Sequence, residues 1–190
     1  MQTTFQQALI NTFNFARENK FRGCVVLSGS QAWCQQAAMA RISLVGQHAE
    51  LKRRAVFWVG ESTRMPDGIR VIAPNATAQL LGSDADCLVI DARSGFSPDM
   101  LGMVSGTLCG GALLLLLTPP FDQWPTYNDP DYQRYQALRP SPYTMNGYFL
   151  QRVVALFEQA SMASNTPWLS IVKQSQSAEN YVATDEDLRV

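Results

Sequence analysis

Apolar residues in this chain fall into short unbroken runs, set apart by longer amphipathic or polar stretches. The clearest pair is Cys87–Ile90 and Ala112–Thr118. A continuous apolar run this short suits a strand buried on both faces, as in a parallel sheet. The segment between them carries helix punctuation. Ser97 fits an N-cap, Pro98 the first helical position, and Asp99 places negative charge at the positive helix end. Gly110-Gly111 is expected to end that helix, which then spans 98–109. The unit reads as strand, helix and parallel strand joined by a right-handed crossover.

The same reading extends in both directions. Residues 2–19 predict an amphipathic helix with Phe5, Leu9, Phe13 and Ala16 on one face. Phe21–Leu27 is the first expected strand, and Ser28-Gly29-Ser30 a tight turn in which Ser30 caps a helix to about Leu44. A polar connection, Gln47–Arg54, leads to strands at Ala55–Val59 and Ile69–Ile72, with a turn at Met65–Gly68 between them. Asn75 or Thr77 opens a brief helix through Leu81, and strands follow at 87–91 and 112–118. Phe121–Tyr143 is irregular and rich in proline, aromatics and aspartate, and a connection that long is often a binding surface. Met145–Ala163 predicts a long helix with Phe149, Val153, Leu156 and Phe157 on one face, and Trp168–Val172 the last strand. The expected fold is α/β: a Rossmann-like, doubly wound, mainly parallel sheet with helices on both faces, one domain over 1–174. Residues 175–190, polar and acidic at Asp185-Glu186-Asp187, read as a linker to a following module.

Composition sharpens this picture at one point. Hydrophobic residues make up 46% of the chain and charged residues 16%, against about 25% charged in typical domains. A domain of 190 residues does not hide that much apolar area in one core, so part of its surface is expected to lie against another body. A net charge of −1 gives no general attraction for nucleic acid. The four cysteines form no CxxC pair and read as reduced, mostly buried thiols of a cytoplasmic protein. His48 is the single histidine, which argues against a His-based metal site or catalytic triad. Leu113–Leu117 is far shorter than the roughly 20 apolar residues of a membrane span. Neither a membrane nor a metal is expected as a partner.

Two kinds of chemistry remain to be weighed. The turn Ser28-Gly29-Ser30 joins a strand to a helix, where doubly wound folds often cradle phosphate. It carries one glycine and no lysine, and no glycine in the chain is followed by lysine, so a GK[ST] loop is missing. A serine-capped βα turn accounts for it. Asp91 ends an apolar strand, a position that points into the ligand crevice, with Arg93 two residues on as an ion-pair partner. Ser28, Gly29, Ser30, Asp91 and Arg93 are thus the crevice candidates, and a structural Asp91–Arg93 pair is the plainer reading. Candidate RNA contacts are Lys52, Arg53 and Arg54, and Arg134 and Arg139 among Tyr127, Tyr132, Tyr135 and Tyr143. Short charge runs are usually solvated, and arginine with aromatics suits a protein interface as well as base stacking. Gln79-Leu-Leu-Gly82-Ser-Asp84 approaches an acetyl-CoA pattern but fails at its last position. Gly102 and Gly106, four apart, are expected where the 98–109 helix packs closest to the sheet.

Three stretches together resemble one family. They are Val26–Cys34, Asp91–Phe96, and Leu101–Pro119 with Ser105-Gly106-Thr107, Gly110-Gly111 and Trp124 just beyond. Their order and spacing are similar to the amino-terminal domain of bacterial tRNA(Met) cytidine acetyltransferases. The resemblance implies a much longer protein, in which helicase-like ATPase, acetyltransferase and RNA-binding modules follow this domain. The whole enzyme uses acetyl-CoA and ATP or GTP hydrolysis to form N4-acetylcytidine at the wobble position of elongator tRNA(Met). Its cofactor loops lie in the later modules, so the resemblance places no catalytic, cofactor or metal residue on this chain. The implied role is an accessory domain that docks the later modules and touches tRNA weakly. The competing expectations are a small nucleotide-binding α/β enzyme and a stand-alone interaction module.

Overall fold

The computed structural model describes residues 3–47, 55–61, 65–132, 147–162 and 167–174. The expected linker at 175–190 and His48 lie outside them. The elements run α1 (Thr3–Asn19), β1 (Gly23–Ser28), α2 (Gln31–Gln47), β2 (Ala55–Val59), β3 (Ile69–Ile72), β4 (Ala85–Asp91), α3 (Pro98–Ser105), β5 (Leu108–Thr118), α4 (Tyr148–Met162) and β6 (Leu169–Lys173). All strand pairs are parallel, and the six strands lie in the order β3-β2-β4-β5-β1-β6. This is the expected Rossmann-like α/β architecture.

The apolar runs are continuous because both faces of the central strands are covered. Leu113, Leu115 and Leu117 of β5 pack with Val25, Leu27, Cys34 and Ala38, on the α1–α2 side. Ala112, Leu114 and Leu116 point the other way, to Met100 and Val104 of α3 and Leu150 and Val154 of α4. Side chains alternate along a strand, so a two-sided core needs an apolar residue at every position. Phe96 and Trp124 close the α3–α4 side, with ring centroids 5.3 Å apart and edge to face.

Ser97 caps α3 as expected, accepting from Met100 N at 3.2 Å. The helix stops at Ser105 rather than 109. Thr107 ends it, with its N–H and hydroxyl both donating to Val104 O, at 3.1 and 2.7 Å. Gly110-Gly111 therefore lies inside β5, where Ala85 opposes Leu108 but Cys87 opposes Leu113. The pair sits in a bulge, and Gly111 adopts φ +87°. A Cβ at Gly110 would lie 2.9 Å from Lys20 O, so these glycines let the end of α1 rest on the strand. Gly102 and Gly106 do not mark the closest approach of α3 to the sheet. Both are exposed, and a Cβ at Gly102 would meet nothing within 4 Å. Met100 and Val104 make that contact instead.

Three smaller differences remain. β1 starts at Gly23, because the backbone of Phe21 is taken up by the end of α1 and by Gly111. Residues Pro74–Leu80 form a 3-10 helix rather than a short helix through Leu81. On α4 the buried line is Leu150 and Val154, with Phe149, Val153 and Phe157 half-buried beside it, while Leu156 is 48% exposed.

Candidate functional site

In an open parallel sheet, ligands bind outside the carboxyl ends of neighbouring strands whose connections leave to opposite faces. Here those strands are β1 and β5. The chain leaves β1 into α2 on one face, and leaves β5 toward Phe121 and Trp124 on the other. The crevice candidates converge on this point.

Arg93 spans the crevice. Its Nη2 donates to Gly29 O, just after β1, and to Thr118 O, the last residue of β5, at 2.7 Å. Asp91 holds that arginine from below: its Oδ1 accepts from Arg93 N at 3.1 Å and lies 3.8 Å from Nη1. Gln35 of α2 donates to Asp91 Oδ2 at 3.3 Å. Both side chains are nearly closed to solvent, at 10% exposure for Arg93 and 0% for Asp91. The Tyr127 hydroxyl adds a long bond of 3.4 Å to Arg93 O.

The turn after β1 is bound just as tightly. Gly29 N donates to Thr118 O at 3.2 Å, and Ser28 Oγ to Pro119 O at 3.1 Å. Ser30 N donates to Gln174 Oε1 at 2.7 Å, and Gln174 N returns to Ser28 O at 2.9 Å. Ser30 Oγ caps α2 through Trp33 N at 3.4 Å. A Cβ at Gly29 would lie 2.7 Å from the Gln174 side chain and 2.8 Å from Trp33, which accounts for the glycine without a phosphate. The amides of Gly29 and Ser30 thus have partners inside the fold. Burial pushes the nearby Cys34 thiol up to about 11, and it donates to Leu27 O at 3.3 Å.

All five crevice residues are brought together, and Asp91 and Arg93 pair as the plainer reading has it. Gln35 and Gln174 complete the cluster and were not legible as partners, since a lone glutamine carries no motif. Lys52, Arg53, Arg54, Arg134 and Arg139 lie outside the described residues, as do Tyr135 and Tyr143. Among the described residues no cluster of three or more His, Cys, Asp or Glu could hold a metal, and no helix is long and apolar enough to cross a membrane.

Fold and crevice together define a Rossmann-like α/β domain whose switch point is braced by its own arginine. A family model described as tRNA(Met) cytidine acetyltransferase TmcA, N-terminal, matches residues 1–164, and the chain belongs to that family. A tRNA(Met) cytidine acetyltransferase TmcA of Nitrosococcus halophilus is 35% identical over 145 residues, covering 76% of this chain and 18% of the relative. One from Citrobacter koseri is 34% identical over 151 residues, covering 78% and 21%. One from Yersinia pestis is 37% identical over 122 residues, covering 64% and 16%. The match thus spans about a fifth of the length of these relatives.

Proposed function

We propose that this chain serves as the accessory amino-terminal domain of a tRNA(Met) cytidine acetyltransferase and docks against that enzyme's later modules. The whole enzyme forms N4-acetylcytidine at the wobble position of elongator tRNA(Met), using acetyl-CoA and ATP or GTP hydrolysis in those modules. The observation that carries this reading is the family match over 1–164, set against relatives several times longer. Two structural features support a docking role. The outward side of α4 carries exposed Tyr148, Leu156 and Met162, at 70%, 48% and 84%, apolar surface that a neighbouring module would cover. The switch-point crevice, where a nucleotide would otherwise sit, is tied shut by Arg93.

The test is turnover by the chain alone. Incubation with tRNA, labelled acetyl-CoA and ATP is expected to give background acetylation and background hydrolysis. Turnover abolished by Asp91→Ala would replace this reading with a small nucleotide-binding enzyme.

A further inference from the structure

At the opposite, amino-terminal edge of the sheet lies an open hollow of about 560 Å³ lined by Lys20, Phe21, Arg22, Gly110 and Trp168. We propose that this hollow holds an unpaired nucleotide of RNA, its base against Phe21 and Trp168 and its phosphate against Lys20 and Arg22. The site stands on its own geometry. That the polymer is RNA rather than DNA rests on the function proposed above.

The hollow begins with the end of α1. Phe21 N donates to Ala16 O at 2.9 Å and Lys20 N to Arg17 O at 3.4 Å, which makes a Schellman closure with Lys20 at the left-handed position. Its φ is +55°, the one positive φ among the described residues other than glycine. Glycine ordinarily fills that position, and a strained non-glycine residue there asks for a functional reason. The strain puts a lysine at the rim of the hollow.

Phe21 is 54% exposed although its backbone is pinned on both sides, Phe21 O accepting from Gly111 N at 2.7 Å. Trp168, 41% exposed, is pinned through its carbonyl, which accepts from Cys24 N at 2.7 Å. Arg22 Nε donates to Leu108 O at 2.7 Å, which fixes the guanidinium plane and engages one of its five N–H groups. Gly110 completes the lining. From Arg17 to Arg22 the chain carries three cations and one acid, Glu18, so the rim is positive although the whole chain is not.

Cations at a helix C-terminus are favoured by the helix dipole, which accounts for Lys20 and Arg22. It does not account for the two large, partly exposed aromatic side chains beside them, Phe21 leaning on Phe15 with ring centroids 5.8 Å apart. Aromatic faces next to cations are the means by which single strands are gripped without reading sequence. The positive rim complements phosphate, and this favours a nucleotide over an apolar protein segment.

The test uses the 190-residue chain and a fluorescein-labelled single-stranded oligoadenylate six nucleotides long, with the matching RNA duplex as control. Anisotropy across a salt series should show the single strand bound more tightly than the duplex, and binding that weakens as salt rises. Phe21→Ala and Trp168→Ala should each weaken binding about tenfold, with the near-UV circular dichroism of the remaining core retained. Lys20→Gly is the decisive variant. It should raise the melting temperature, because the left-handed strain is relieved, while weakening oligonucleotide binding several-fold. Absence of binding, equal binding by the folded aromatic variants, or unchanged binding by Lys20→Gly would overturn the proposal. Weaker association of these variants with the later modules of a relative, with oligonucleotide binding unchanged, would assign the hollow to protein and overturn it as well. The oligonucleotide results do not bear on the docking role, which is read by acetylation in the full enzyme.

Discussion

The Arg93 guanidinium donates to Thr118 O at 2.7 Å, and the same Nη2 reaches Gly29 O. Through that nitrogen the loop after β4 holds the ends of β1 and β5 together at the point where a doubly wound sheet would open.

Arg93→Met should therefore be costly. It removes both carbonyl bonds and leaves Asp91, with its side chain fully buried, without its cation. Breaking a buried pair from one side typically costs about 3–5 kcal/mol. Urea unfolding should show a midpoint lowered accordingly. A midpoint equal to that of the parent chain would show that the crevice does not depend on Arg93.

Two glycines should respond in opposite directions to alanine. Gly102 lies in the interior of α3, exposed and with nothing within 4 Å of a Cβ, so Gly102→Ala should stabilise by about 0.5–1 kcal/mol. At Gly110 a Cβ would meet Lys20 O at 2.9 Å, so Gly110→Ala should destabilise by about 1–3 kcal/mol. Thermal melts of both variants read the signs. Equal shifts would contradict the placement of α3 and of the β5 bulge.

Asp129 gives a pH dependence with a definite sign. It is fully buried and accepts from Asp131 N at 2.8 Å and Phe96 N at 3.2 Å, holding the segment after β5 against the start of α3. Burial outweighs these bonds and raises its pKa above the ordinary 3.8. A raised folded-state value means that the folded state binds the proton more tightly than the unfolded one. The resulting stability is full below 3.8 and is lost as pH rises through the raised value. The stability of the parent chain relative to Asp129→Asn should therefore shrink as pH rises from near 4 toward 7. A difference that grows over that range would show a lowered value instead.

The strands were legible because a sheet covered on both faces demands unbroken apolar runs, and Val25–Leu27, Leu88–Ile90 and Leu113–Leu117 supply them. The N-cap at Ser97 was legible because a side-chain oxygen before proline has a local purpose. What failed was punctuation with a distant cause. Gly110-Gly111 looks like a helix exit, yet its partner is Lys20, some ninety residues earlier in the chain. On α4 two apolar lines compete, and only packing on β6 and the Trp124 segment decides that Leu150 and Val154 face inward. At the crevice, Asp91 and Arg93 were legible from their place after a strand, while Gln35 and Gln174 join them only through the fold. The hollow at Lys20-Phe21-Arg22 had a signal, cations on either side of an aromatic, which the expected strand at Phe21–Leu27 concealed.

The central claim, an accessory domain within a tRNA(Met) cytidine acetyltransferase, is tested most directly by a domain exchange. The matching amino-terminal segment of the Nitrosococcus halophilus relative would be replaced by residues 1–164 of this chain, or deleted, and N4-acetylcytidine in tRNA(Met) quantified by mass spectrometry after a timed reaction. The account predicts acetylation by the chimera at a substantial fraction of the parent rate and a clear loss in the deletion. Equal acetylation by the deletion and the parent enzyme would contradict it, because a domain whose removal changes nothing does not serve the enzyme.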